Sequence, residues 1–205
     1  MNKYLTIFLL LLSFLLFSCK KEVDYGIGEY RVDWVKVISP NSFSLLNLNE
    51  TLLTSETTLS NIKEGSRLLL NYSYLSENQN SYSIRINGGS AVFCDTLMQQ
   101  SPLTDKLSSE PIILESAWIG LHYLNISCYV DLYQKGPVIA LVLDREEGDT
   151  YFVSFIYDKK KDPAGSRAKV NCSFDLSSLL NSPDKTKRVI VSFNDSTHKT
   201  LEFDY

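Results

Sequence analysis

The chain has 205 residues, 44% of them hydrophobic and 21% charged, with a formal net charge of −4. This lies inside the range of globular chains that bury a packed core, with room for one large domain or two small ones. The acidic balance argues against nucleic acid, which needs a basic track, and four cysteines at this length are too sparse for a disulfide scaffold.

The first element in chain order is an export signal. Lys3 precedes an apolar run, Tyr4 to Phe17, of 14 residues. As a helix such a run reaches about 21 Å, short of the roughly 30 Å bilayer core, so it fits the apolar region of a signal peptide over residues 1–18. It closes on Leu16-Phe17-Ser18-Cys19, which resembles the lipobox of bacterial lipoproteins. In that resemblance Ser18 is the small residue before the cleavage point and Cys19 takes the lipid, although Phe17 is bulkier than usual at its position. The implied partner of Cys19 is the lipid bilayer, held firmly because each buried methylene adds about 0.8 kcal/mol. The charged Lys20-Lys21-Glu22 follows, and residues 19–28 read as a tether. Lys20, where an Asp would signal inner-membrane retention, favours the outer membrane, with either leaflet open. An ordinary secretory signal with a chance cysteine and a retained membrane helix are the competing readings.

Beyond the tether the pattern is one of short strands broken by turn residues, with no long apolar period of 3.6. Predicted strands cover Arg31 to Ser39, Ser42 to Leu48, Thr51 to Thr54 and Arg67 to Leu75, the last entered through a turn at Ile62-Lys63-Glu64-Gly65. Ser81 to Asn87 is predicted to end in a hairpin at Asn87-Gly88-Gly89, with Ala91 to Leu97 returning. Ser101 to Pro111 carries prolines, serines and no periodicity, as a linker would.

After it, Ile112 to Glu115 leads to Trp118, and Tyr123 to Leu132 alternates cleanly. Leu124, Ile126, Cys128 and Val130 are predicted to face a core, and Asn125, Ser127 and Asp131 to face water. Val138 to Leu143 and Tyr151 to Tyr157 pair across an acidic turn, Lys169 to Leu176 alternates again, and Val189 to Phe193 with Thr200 to Tyr205 forms a last hairpin. Strands at this spacing predict two small all-β domains, residues 29–100 and 112–205, joined by a linker at 101–111.

Several blocks in this order resemble the NigD-like family of Bacteroidota lipoproteins. They are the lipobox, Gly65-Ser66-Arg67-Leu68-Leu69-Leu70-Asn71-Tyr72, Tyr82-Ser83-Ile84-Arg85-Ile86-Asn87, Trp118, Tyr123-Leu124-Asn125-Ile126 and Leu201-Glu202-Phe203-Asp204-Tyr205. The resemblance covers nearly the whole mature chain. It implies an N-terminal OB-like barrel followed by a C-terminal β-sandwich and supplies no catalytic residues to carry over; no cofactor is expected. Its name points to a bacteriocin-associated operon.

Candidate sites are sparse. His122 and His198 have neither H-x-x-x-H nor C-x-x-C company, so each reads as structural rather than as a zinc ligand or catalytic base. Asp144, Glu146, Glu147 and Asp149 surround Gly148 without the spacing of a calcium loop, and no metal site is expected. Lys159-Lys160-Lys161 and Lys185, Lys187 and Arg188 are flanked by acids and read as solvated loops. Cys128 and Cys172, both on apolar faces, are a candidate disulfide if their strands adjoin, while Cys94 lacks a partner. The aromatics Trp34, Tyr72, Tyr74, Tyr82, Trp118, Tyr123, Tyr129 and Tyr133 are mostly core, with exposed rings able to stack on sugars. The expected activity is that of a non-catalytic binding or assembly module for a glycan or protein partner, with an immunity protein against a bacteriocin as the alternative.

Overall fold

The structure, a computed structural model, describes residues 29–46, 50–78, 81–132, 136–160, 165–180 and 187–204. The signal, the tether, Ser18 and Cys19 lie outside the described residues. Among the described residues no helix is long and apolar enough to cross a membrane.

Five strands form the first body: β1 (Tyr30–Ser39), β2 (Ser42–Leu45), β3 (Leu52–Ser55), β4 (Arg67–Asn78) and β5 (Ser81–Ala91). They close in the order β1-β2-β3-β5-β4, with β3 and β5 parallel and the other pairs antiparallel, the OB-like barrel that the resemblance implies. Alternation drives the closure. Val35 and Val37 of β1 point inward with Phe43, Leu53, Leu70, Tyr72 and Ile84, all essentially buried. Each such side chain contributes about 1.5–3 kcal/mol on burial. The predicted turn before β4 is present: Gly65 has φ +81° and Ser66 N–H donates to the Lys63 carbonyl at 3.1 Å, a conformation that glycine adopts without strain.

The hairpin expected at Asn87-Gly88-Gly89 is absent. β5 runs straight through it, and pairing with β4 steps from Tyr72↔Ile86 to Asn71↔Gly88, leaving Asn87 as a bulge. Residues that tolerate turns also tolerate bulges, and the long ladder with the 12-residue β4 prevails over the local turn signal.

The second body is an eight-stranded sheet folded into a sandwich, in the order β13-β12-β10-β9-β6-β11-β8-β7. Its strands are β6 (Phe93–Gln99), β7 (Ile113–Gly120), β8 (Tyr123–Leu132), β9 (Val138–Glu147), β10 (Thr150–Asp158), β11 (Ser166–Asp175), β12 (Arg188–Phe193) and β13 (Thr200–Asp204). β6 makes the corner. Phe93 to Thr96 pair in parallel with β11, and Leu97 to Gln99 in parallel with β9, so one strand serves both layers. Leu124, Ile126, Leu141, Val153, Phe155, Phe174 and Val191 fill the space between. The β9–β10 reversal is a two-residue turn with Gly148 at φ +63°.

β6 therefore belongs to the sandwich, and the boundary lies at Val92 rather than at residue 100. Residues 101–111 are an internal connection of the second body instead of a linker between domains. Thr104 is buried in a 3-10 turn (Thr104–Lys106), Ser108 Oγ donates to Asp158 at 2.9 Å, and Glu110 N–H donates to the Tyr157 carbonyl at 2.7 Å. Polarity marked this segment as a loop, but it is fastened by its own turn bonds, as from Leu107 N–H to the Thr104 carbonyl, and by bonds from Ser108 and Glu110 to the sandwich.

Candidate functional site

The backbone bonds that fasten residues 108–112 also shape a cavity at one end of the sandwich. Ile112 N–H donates to the Asn194 carbonyl at 2.8 Å and Ile113 pairs with Tyr129, which draws the segment across the ends of β8 and β10. The cavity, about 220 Å³, has a floor of Ile112, Val130 and Tyr157, all buried. Its walls carry two ion pairs, Lys159 Nζ to Glu110 Oε2 at 3.3 Å and Arg167 Nε to Asp131 Oδ1 at 3.6 Å. Tyr157 OH donates to the Asp131 carbonyl and so fixes the end of β8. Asp158, next to Lys159 and 7% exposed, anchors the wall. Burial works to raise its carboxyl, but bonds from the Lys160 N–H and from Ser108 outweigh that and hold it below the usual range.

A second polar cluster lies where the bodies meet. Arg67, at the head of β4, is 3% exposed. Its guanidinium stacks 3.5 Å from the centre of the Tyr123 ring, and Nη1 donates to Asn125 Oδ1 at 3.2 Å. Nη2 is buried without a hydrogen-bond partner. Burial lowers the Arg67 pKa, opposed by Tyr123, yet an arginine so placed stays charged. Asn125 also accepts from Ser173 Oγ at 2.9 Å. Beside this, Trp34 of the barrel and Trp118 of the sandwich meet edge to face at 5.0 Å.

The cluster overturns one expectation. Asn125 and Ser127, read as the wet face of β8, are buried, Asn125 completely, where Arg67 of the barrel is brought onto it. Further along the face, Ser127 Oγ lies 2.8 Å from Asn171 Oδ1 and 2.9 Å from Glu115 Oε2, and Glu115 meets Lys169 at 2.5 Å. Bonds from Lys169 and Ser127 hold the Glu115 carboxyl below its usual range.

The remaining candidates are placed as follows. Cys128 and Cys172 lie on adjacent strands and face the same core, but Cys128 is level with Val170 and Cys172 with Ile126. That two-residue offset sets them diagonally, and both thiols are free, so the candidate disulfide is not formed. Burial raises the Cys128 pKa to about 12 and pushes Cys172 well up. Cys94 is free and exposed. His122 sits in the β7–β8 turn after Leu121, which has φ 55°, and His198, φ 49°, sits in the β12–β13 turn, so the histidines lie on separate hairpins. Among the described residues no group of three or more His, Cys, Asp or Glu is placed to hold a metal ion. Of the basic runs, Lys159 joins the cavity and Lys187 Nζ donates to Tyr151 OH at 3.2 Å, while Lys161 and Lys185 lie outside the described residues. Tyr72, Tyr74 and Tyr82 pack edge to face in the barrel, and Tyr133 lies outside the described residues. The cavity and the Arg67 cluster were not singled out from sequence, because their partners lie dozens of residues apart.

The profile described as NigD-like C-terminal beta sandwich domain matches residues 95–205, which begin within β6. Solved structures share the whole fold. A protein of unknown function, DUF1344, from Bacteroides vulgatus superposes with TM-score 0.71 at 21% identity, over 86% of this chain and 91% of that one. A NigD-like immunity protein from Bacteroides caccae gives 0.63 at 19% identity, over 88% and 98%. A candidate lipoprotein from Bacteroides fragilis gives 0.59 at 11% identity, over 86% and 96%. A search of the curated proteins finds no match. With more than half of its length matched by the family profile and its barrel-plus-sandwich architecture repeated in these structures, the chain belongs to the NigD-like family.

Proposed function

We propose that the protein is a lipid-anchored envelope module that binds a partner without transforming it. The observation that carries this reading is the apolar run closing on Leu16-Phe17-Ser18-Cys19 so close to the barrel. Between Cys19 and the start of β1 at Tyr30 the chain can extend at most about 40 Å, so an acylated Cys19 holds the body against the bilayer. The outer membrane is the proposed address, on the strength of Lys20. The description of the Bacteroides fragilis structure as a candidate lipoprotein supports the anchor.

The binding half of the reading is supported by the cavity at Glu110, Asp131, Lys159 and Arg167. Each carboxylate there faces a cation, and the arrangement is one of donors and acceptors presented together rather than a nucleophile beside a base. Metabolic labelling with palmitate tests the anchor. Label is expected in the wild-type protein and absent from Cys19→Ala; label retained in the variant refutes it.

The Bacteroides caccae structure described as an immunity protein favours a second reading, protection against a bacteriocin. Deleting the gene then raises sensitivity to a toxin made by the same cells, and unchanged sensitivity removes the idea.

A further inference from the structure

The walls of the cavity at the end of the sandwich carry equal and opposite charge. Lys159 and Arg167 are each matched within 3.3 and 3.6 Å by Glu110 and Asp131. An anion entering this space meets two cations and two carboxylates, and a cation meets the mirror image. Both pairs are open to solvent, with side chains 30% and 26% exposed in one and 62% and 48% in the other, so each is individually weak, and a charged ligand gains no net attraction from a lining whose charges balance.

A neutral polyhydroxyl ligand meets no such conflict. A carboxylate has about four lone-pair positions and a guanidinium five N–H donors, so a pair that uses one contact keeps capacity on both sides. Each ligand hydroxyl donates and accepts, and can bridge the two members of a pair without separating them. The cavity also offers apolar surface for the C–H faces of a ring. Tyr129 is half-buried at its edge, Ile113 is 48% exposed, and Ile112 and Val130 lie beneath. Size sets a further limit. At about 220 Å³ the cavity has room for one sugar ring.

We propose that this cavity binds a single neutral sugar unit of an uncharged glycan. The inference rests on the reading of the chain as a binding module and names its ligand class. The Arg167–Asp131 pair supplies directional bonds and Tyr129 the stacking surface. The side chains of Arg167 and Asp131 are 62% and 48% exposed, Tyr129 is half-buried, and none of them touches the Arg67 cluster, so they are replaceable without disturbing the junction.

The test is a titration of the full mature chain carrying Cys19→Ala, followed by amide chemical shifts. The probes are methyl glycosides of glucose, galactose, mannose and N-acetylglucosamine, with glucuronic acid and diglycine as the charged and zwitterionic counterparts. At least one neutral glycoside is expected to shift the amides of Ile113, Val130, Asp131 and Arg167 saturably. Glucuronic acid should bind weaker by roughly tenfold or more, and Arg167→Met and Tyr129→Ala should each weaken the glycoside by roughly tenfold, the loss of one good contact. Arg188→Ala, on the β12–β13 edge, should change nothing. Glucuronic acid or diglycine binding as tightly as every glycoside overturns the sugar assignment and leaves the binding module standing. Silence of the cavity amides toward all the probes removes the cavity as a site, and with it the support it lends the binding reading. Binding that ignores both Arg167→Met and Tyr129→Ala places the ligand elsewhere and refutes the inference.

Discussion

Shortening Arg67 to alanine probes how the barrel and the sandwich are joined. The stack on Tyr123, at 3.5 Å and out of water, is worth about 2 kcal/mol, and the charge-assisted bond to Asn125 about 1.5–3 kcal/mol. Against these stands the buried Nη2 without a partner, a penalty of about 1–3 kcal/mol. The gains exceed that penalty by about 0.5–4 kcal/mol, and the desolvation of a buried guanidinium, on the order of several kcal/mol, offsets the difference, so what remains is volume. Arg67→Ala removes the side-chain stem as well, at about 0.8 kcal/mol per methylene plus the cavity left behind, so the expected loss is about 2–4 kcal/mol. Arg67→Met keeps most of the stem and removes the orphan donor, so its expected cost is about 0–2 kcal/mol.

The chain has two tryptophans, Trp34 and Trp118, and they touch each other across this junction, so fluorescence reports it directly. Urea unfolding followed by fluorescence and by far-ultraviolet circular dichroism should give one coincident transition for the wild type. For Arg67→Ala the fluorescence midpoint should fall ahead of the dichroism midpoint, because the bodies part before they unfold. An alanine variant as stable as the wild type refutes the reasoning. So does a methionine variant that costs as much as alanine, since that would place the value in the charge and not in the packing.

Two other outcomes follow from buried groups. Thiol titration of the native Cys19→Ala chain at neutral pH should modify Cys94 alone, with Cys128 and Cys172 reacting only after denaturation; rapid labelling of Cys128, whose pKa burial raises to about 12, contradicts the packing. Asp158→Asn should lower stability at neutral pH. The folded-state pKa of Asp158 is lowered, so its stabilising share is complete above the ordinary aspartate range and fades as pH falls through the lowered value. The gap in urea midpoint between wild type and variant should therefore close in acid, and a gap that widens there disproves the assignment.

Alternation made much of the fold legible. Leu124, Ile126, Cys128 and Val130 on β8, with Cys172 and Phe174 on β11, face the core as their period of two dictates. The opposite face was not legible, because the sequence shows which residues are polar and not what covers them. Asn125 reads as solvated until Arg67, 58 residues away, is brought onto it. β6 was misplaced for a related reason. Its partners are parallel strands, reached only after long excursions, so Phe93 finds Cys172 and Leu97 finds Leu141 with no local turn to announce it. Asn87-Gly88-Gly89 misled because bulges and hairpins favour the same residues. The cavity escaped notice because Lys159 sits in a run of lysines that reads as solvated, and Asp131 pairs with Arg167 only through the β8–β11 ladder.

The single residue between β5 and β6 determines how the two bodies are joined. Val92 is buried and its N–H donates to the Arg67 carbonyl at 3.2 Å, so the crossing between bodies is itself hydrogen-bonded structure. Arg67 thus engages the sandwich through its side chain and the crossing through its backbone. A joint this short leaves little freedom for one body to swing on the other. Along β8, Asn125 marks the junction and Val130 the cavity, five residues or about 17 Å apart on one rigid strand. Chain order then runs from Cys19 through the barrel to the junction and on to the cavity. With a lipid at Cys19, the barrel acts as a fixed spacer, and a ligand held by the sandwich is carried at a set displacement from the barrel rather than on a flexible arm. Loosening the junction with Arg67→Ala should leave the affinity of the cavity for a free sugar unchanged, because none of its walls belongs to the barrel.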